Sequence, residues 1–214
     1  MTTAIAAEVL TPNLTFARLA SAEQIQRTAQ ALEANGMHTT ITNTGDEARQ
    51  IVLSLLVEGA EIFTALSKTL DTIGLTAEIE RSGHFNSLRP KLVELHQQNR
   101  TGEMRKLGAS PDFVIGSVHA ITEQGQVLVA SGTGSQLGPY AYSAGHVIWV
   151  VGAQKIVRNL DEGWRRIQEY AYPLEDARAR QVYGYPSRVN KVLLINGDRP
   201  ERISVVLVKE NLGF

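Results

Sequence analysis

The run "HVIWVVGA", from His146 to Ala153, carries no polar side chain after its histidine. Side chains of a strand point alternately to its two faces, so a run that is apolar at both parities has to be covered on both sides. This one segment demands a sheet sandwiched between layers. The chain before it supplies them. "SAEQIQRTAQALEANG" opens on a capping box, Ser21 with Gln24, and closes on Gly36, where a left-handed residue belongs. "MHTTITNT", Met37 to Thr44, has the β-branched content of a strand. A second helix spans about Asp46 to Val57, before Gly59, and "AEIFTAL" is the next strand. Helix and strand alternating over short connections predict a parallel α/β layer.

The following segments extend this pattern. "LRPKLVELHQQNRTGEMRKLG" predicts one long helix, with Pro90 near its start and Gly108 at its end. "DFVIGSVHAITEQGQVLVAS" gives two apolar runs around Gln124–Gly125, a tight hairpin turn. In that register Glu123 faces Gln126 and His119 faces Ala130. Glu123 and His119 then share a strand face about 13 Å apart. "KIV" is short and extended, and Asn159 or Asp161 caps the helix "DEGWRRIQEYA". Pro173 interrupts that helix, and a further helical stretch runs to about Tyr183. "KVLLING" and "RISVVLVKE" are strands around the turn "NGDRP". The expected fold is a single three-layer α/β/α domain over residues 1–214. It has a mixed, largely parallel sheet and an N-terminal helical extension at about 1–36.

Composition narrows function mainly by exclusion. The chain has 214 residues, a net charge of −1 and no cysteine. Without cysteine it holds no disulfide, no thiol nucleophile and no thiolate-ligated metal or iron–sulfur cluster of its own. Its five histidines show no metal-ligand spacing, so no metal site is expected. No basic excess or aromatic platform points to nucleic acid. The apolar runs are strand-sized, and "MTTAIAAEVL" lacks the pattern of a leader, so neither a membrane span nor a signal peptide is expected. A soluble cytoplasmic protein is the expectation.

Candidate site residues cluster after one strand. "ASGTGSQLGPYAY" follows the apolar run "QVLVA". Ser131, Gly132, Thr133, Gly134, Ser135 and Gln136 there could cradle an anion with backbone N–H groups and hydroxyls. The spacing is neither a dinucleotide fingerprint nor a P-loop, since three residues separate Gly134 from Gly138 and no Gly-Lys-Ser/Thr follows. The competing reading is a plain turn before Pro139. His119, at the root of that loop in the expected register, is either a core histidine or a proton carrier for a bound anion. His146 also stands at a strand end. Ser67 and Thr69, in "TALSKTLDTIGL", follow a strand and either cap a helix or line the same cleft.

In their order along the chain, "TALSKTLDTIGL", "MRKLGASPDFVIGSVHAITEQGQVLVASGTGSQL", "AGHVIWVVGAQKIVRNLDEG" and "VVLVKENLGF" carry a resemblance. From about Glu61 to Phe214 the chain resembles the LUD-domain family, the lactate-utilisation protein C-like group. The resemblance implies the fold of the glucosamine-6-phosphate deaminase, ribose-5-phosphate isomerase and CoA-transferase group. It also implies a part in oxidation of L-lactate, or a related hydroxy acid, alongside iron–sulfur partner proteins. No cofactor is expected on this chain, and in isolation it is expected neither to hold iron nor to oxidise L-lactate. Glu123, in "TEQG", is similar to the nucleophilic glutamate of CoA transferases, so Glu123 and His119 are the catalytic candidates. Three functions stay open: a component of hydroxy-acid utilisation, an independent enzyme or binder for a phosphorylated sugar or acyl-CoA, and a non-catalytic scaffold. An anionic small molecule is the expected ligand, and a homo-oligomer is compatible with all three.

Overall fold

The computed structural model describes residues 10–214. Met1 to Val9, where the first part of the expected extension falls and where no leader is expected, lie outside the described residues. A turn of 3-10 helix, Leu14–Ala17, leads to α1 (Ala22–Ala34). Its capping box forms as read: Ser21 Oγ accepts from the Gln24 N–H at 3.3 Å, and Gln24 Oε1 accepts from the Ser21 N–H at 3.0 Å. Gly36 takes a left-handed φ of 81°. Next come β1 (His38–Thr42), α2 (Gly45–Leu55), β2 (Glu61–Thr64), α3 (Lys68–Thr72), α4 (Leu75–Arg81) and β3 (Asn86–Ser87).

Where one long helix is expected, two form: α5 (Arg89–Gln97) and α6 (Thr101–Leu107). Asn99 adopts φ 56°, and the Arg100 N–H turns back to the Leu95 carbonyl at 2.9 Å. This is a helix stop built on the residue type that tolerates the left-handed region after glycine. The chain goes on through β4 (Phe113–Gly116), β5 (Ala120–Thr122), β6 (Val127–Ser131), β7 (His146–Gly152), β8 (Ile156–Val157) and α7 (Leu160–Arg166). Asn159 caps α7, accepting from the Glu162 N–H at 3.0 Å. A π-helical turn, Ile167–Ala171, runs straight into α8 (Tyr172–Tyr183). The chain stays in the right-handed helical region through Ala171 and Tyr172, so Pro173 does not break the helix; the wide π turn before it falls where proline lacks an N–H to donate. The described chain closes with β9 (Lys191–Ile195) and β10 (Ile203–Val208).

Six strands form a wholly parallel sheet in the order β1-β10-β7-β4-β2-β3. The three-layer α/β arrangement is the one the alternation predicts. The antiparallel strands do not join that sheet: they make a second one, in the order β8-β5-β6-β9. The run "DFVIGSVHAIT" is divided between the two, its first half in β4 and its second in β5. The hairpin register also moves by one residue, with Ala120 opposite Leu128 and Ile121 opposite Val127. Three residues turn the chain, Glu123 to Gly125, and Gly125 sits at φ 78°, the left-handed position of a three-residue loop.

β7 behaves as its composition demands. Val147, Trp149 and Val151 face one core with Val129, Ile195 and Val205, beneath the second sheet and α1. Ile148 and Val150 face the other core with Val52, Leu70 and Ile79, beneath α2, α3 and α4. α7 and the π-helical turn after it cover the outer face of the second sheet, where Ile167 of that turn meets Ala120 and Leu128. Each such side chain contributes about 1.5–3 kcal/mol by leaving water, so both cores lock β7 in place and fix where its carboxyl end emerges.

Candidate functional site

Four neighbouring strands, β10, β7, β4 and β2, bring their carboxyl ends to one edge. In parallel sheets ligands bind at this edge, because the chain leaves it in loops and helix starts rich in polar groups. Ser67 to Thr69 follow β2, Ser117 follows β4, Gln154 and Lys155 follow β7, and Leu212 and Gly213 lie beyond β10. Lys155 is the centre of the group. It is 2 % exposed, and its Nζ lies 3.0 Å from Thr69 Oγ1 and 3.1 Å from Ser117 Oγ.

The direction of these hydrogen bonds is fixed. Thr69 Oγ1 donates to the Leu212 carbonyl at 3.1 Å, and Ser117 Oγ donates to the Val150 carbonyl at 2.7 Å. A hydroxyl has one proton, so both hydroxyls can only accept from Lys155. Two acceptors match the two N–H bonds of a neutral amine and leave its lone pair unengaged. An ammonium would carry a third N–H without a partner among the described residues. Burial, and after it the nearby Arg166 charge, push the Lys155 amine well below the usual lysine range.

Arg166 is fully buried on α7 and has no carboxylate partner among the described residues. Its Nε donates to the Gln154 carbonyl at 3.2 Å, its Nη1 donates to the His119 carbonyl, and Nη2 is buried without a partner among the described residues. Its guanidinium lies 5.0 Å from the centre of the Tyr170 ring. Burial lowers its pKa to about 10, so it remains charged at neutral pH. The half-buried His119 stands beside it. The Ala130 N–H donates to His119 Nδ1 at 3.1 Å, which leaves the proton of the neutral ring on Nε2. Burial above all, then the neighbouring Lys155 and Arg166 side chains, lower the His119 pKa to about 3.

The residues beyond β10 lie against this group. Gln154 Nε2 donates to the Leu212 carbonyl at 2.9 Å, and Gln154 Oε1 accepts from the Leu212 N–H at 3.4 Å. A Cβ on Gly213 would stand 2.5 Å from Thr69 Oγ1, so the chain passes directly over the partner of Lys155.

Of the residues singled out in the sequence, Thr69 belongs to this cluster. Ser67 caps α3, its hydroxyl accepting from the Leu70 N–H at 3.4 Å. His119 meets the root of the 131–136 loop at Ala130, as expected, although the register beneath it differs. Of its two readings, core histidine or proton carrier, the geometry favours the first: a proton on Nδ1 would displace the Ala130 bond, and burial disfavours the charged ring. The loop is bonded to itself: the Gly134 N–H donates to Ser131 Oγ at 2.9 Å, Ser131 Oγ donates to Gln136 Oε1 at 3.1 Å, and Thr133 Oγ1 pairs with Ser135 Oγ at 3.3 Å. The Gly132 carbonyl accepts from Asn190 Nδ2 at 3.1 Å. Glu123 lies in the hairpin turn, 2.8 Å from Arg27 Nη2 and 2.8 Å from Gln24 Nε2, and both bonds lower its pKa, Gln24 the more. It clamps α1 to the hairpin. His146 starts β7, at the amino end, about 20 Å from the carboxyl end where Lys155 follows, and its ring stacks on Phe113 at 4.9 Å.

Lys155, Ser117 and Arg166 carry no motif. Their one local signal is a charged residue in apolar company: the lysine in "VVGAQKIV", and the second arginine of "GWRRIQ", on the side of α7 that Gly163 and Ile167 bury. Among the described residues no group of three or more histidine, cysteine, aspartate or glutamate side chains gathers as a metal site would need. No helix among them is long and apolar enough to cross a membrane.

Comparison with known proteins places this architecture. A solved structure of a DUF162 family protein from Deinococcus radiodurans superposes with a TM-score of 0.56 at 15% identity, covering 89% of this chain and 99% of that one. At that identity the likeness concerns the fold. No curated protein matches the sequence. The family model described as the LUD domain matches residues 25–208, from within α1 to the end of β10, and the chain belongs to the LUD-domain family.

Proposed function

We propose that this protein binds a small carboxylate at the carboxyl edge of its parallel sheet and takes part in the use of a 2-hydroxy acid such as L-lactate. The observation behind this reading is Arg166, a fully buried guanidinium whose Nη2 has no partner, and which has no acidic partner, among the described residues. A buried charge without a counter-ion is unfavourable by several kcal/mol, on the order of what a ligand carboxylate would restore. The hydroxy-acid part rests on the resemblance to lactate-utilisation proteins. Electron transfer in such a system would use iron–sulfur partner proteins, since this chain has no cysteine to hold a cluster. The 131–136 loop would form the outer wall of the site, because His119 connects its root to Arg166.

The test is thermal unfolding with L-lactate, pyruvate, ribose 5-phosphate or CoA added, on wild type and Arg166→Gln. A ligand at a hundred times its Kd stabilises the native state by about 2.7 kcal/mol. L-lactate and pyruvate are expected to raise the Tm of wild type and to lose at least about tenfold in affinity in the variant, one lost charge-assisted contact being worth about 1.5–3 kcal/mol. A shift by the sugar phosphate or CoA alone would overturn the hydroxy-acid reading. No shift by any of them would overturn carboxylate binding here.

A further inference from the structure

We propose that Lys155 is a nucleophile that forms an imine with the carbonyl of a small 2-oxo acid, whose carboxylate pairs with Arg166. The inference rests on the carboxylate-binding reading above and adds a covalent step to it. Its ground is the donor count. Both N–H bonds of a neutral Lys155 amine are directed at Thr69 and Ser117, whose own protons are fixed on the carbonyls of Leu212 and Val150. The nitrogen lone pair is what remains. An amine in that state, within electrostatic reach of a guanidinium whose Nη2 has no partner among the described residues, is complementary to a molecule carrying an electrophilic carbonyl and a carboxylate together. Arg166 and Lys155 are held to one stretch of chain: Arg166 Nη1 binds the His119 carbonyl, and Lys155 binds Ser117 two residues earlier.

The step balances within the two reactants. The lone pair attacks the carbonyl carbon, and one amine proton moves to the carbonyl oxygen, giving a carbinolamine. The hydroxyl then leaves with the second amine proton as water, and nitrogen and carbon share a double bond. No oxidant or cofactor is needed. Thr69 and Ser117 lose the N–H bonds they accept but keep the carbonyl bonds they donate, so neither hydroxyl proton is stranded. Leu212 and Gly213 lie over Thr69, so they cover the amine's partner.

The experiment is reductive trapping on the full chain at about neutral pH, where roughly one exposed lysine in a thousand is deprotonated. Protein is incubated with pyruvate and cyanoborohydride, and the reduced adduct is mapped by peptide mass spectrometry. L-lactate, which has the carboxylate but no carbonyl, is run in parallel, and Tm shifts are recorded for both. The expected result is an adduct on Lys155 at least about tenfold above that on any exposed lysine, in keeping with that difference in free amine. It is absent with L-lactate and absent in Lys155→Met. If Lys155→Met does not fold, the mapped position in wild type decides. A Tm shift with pyruvate but no adduct at Lys155, or adducts spread evenly over surface lysines, would overturn the imine and leave carboxylate binding standing. Neither shift nor adduct would overturn both.

Discussion

His119 makes the pH dependence of stability a test of the site's electrostatics. The perturbation is His119→Asn, whose Oδ1 can take the place of Nδ1 and accept the Ala130 N–H while removing the titration. In the native state the ring pKa is about 3, against 6.5 for an ordinary histidine, because burial, Lys155 and Arg166 all disfavour the imidazolium. The sign follows from proton counting. Between about pH 6.5 and about pH 3 the unfolded chain binds the proton and the native chain does not, so acid favours unfolding. The stabilisation is complete above the unfolded pKa and is lost as pH falls towards the native one. Going from about pH 7.5 to about pH 5, linkage assigns about 2 kcal/mol to this one group. The limiting value below the native pKa is roughly 5 kcal/mol, and solvent reaching the half-buried ring trims both figures. Urea unfolding at the two pH values, for wild type and variant, reads the difference directly. Carboxylates and Lys155 titrate in both proteins and largely cancel. Wild type should lose about 2 kcal/mol more than His119→Asn on acidification. Equal losses, within about 0.5 kcal/mol, would mean that the native ring accepts a proton freely.

Lys155→Met should leave stability in urea unchanged or raise it by about 1–3 kcal/mol, because a buried amine is replaced by an apolar chain of similar length. A loss above about 3 kcal/mol would identify the amine as a structural brace. Gly134→Val should lower stability by about 1–3 kcal/mol, since Gly134 has φ 86° and its Cβ would stand 2.7 Å from Lys191 Cδ. An unchanged urea midpoint would return that glycine to the ligand-cradle reading its sequence suggests.

What could be read from the sequence was whatever local chemistry decides. The Ser21–Gln24 box, the Asn159 cap and the two-faced apolarity of β7 each involve neighbours within a few residues. The partition into two sheets did not show, because "FVIG" and "AIT" have the same hydrophobicity whichever sheet they join. The hairpin slipped by one residue because "EQG" suits a three-residue loop as well as a two-residue turn. The site was hardest to see. Lys155 takes its character from Thr69, 86 residues away, and Ser117, 38 residues away. The Ser131–Gln136 loop, by contrast, advertises itself through composition, and its hydroxyls bond to other groups of the same loop.

The position of β10 between β1 and β7 also sets the order in which this chain can fold during synthesis. His38 pairs with Ser204, and Val147 with Ile203, so the middle of the parallel sheet is closed by the last of its own six strands to be synthesised. Until then β1 has no strand neighbour, and β7 exposes one edge with apolar residues on both its faces. Closing contacts that distant is slow and leaves sticky edges waiting. A nascent chain stalled before Ile203 could pair at most β7-β4-β2-β3 of this sheet and would leave β1 orphaned, a state prone to aggregation until β10 arrives.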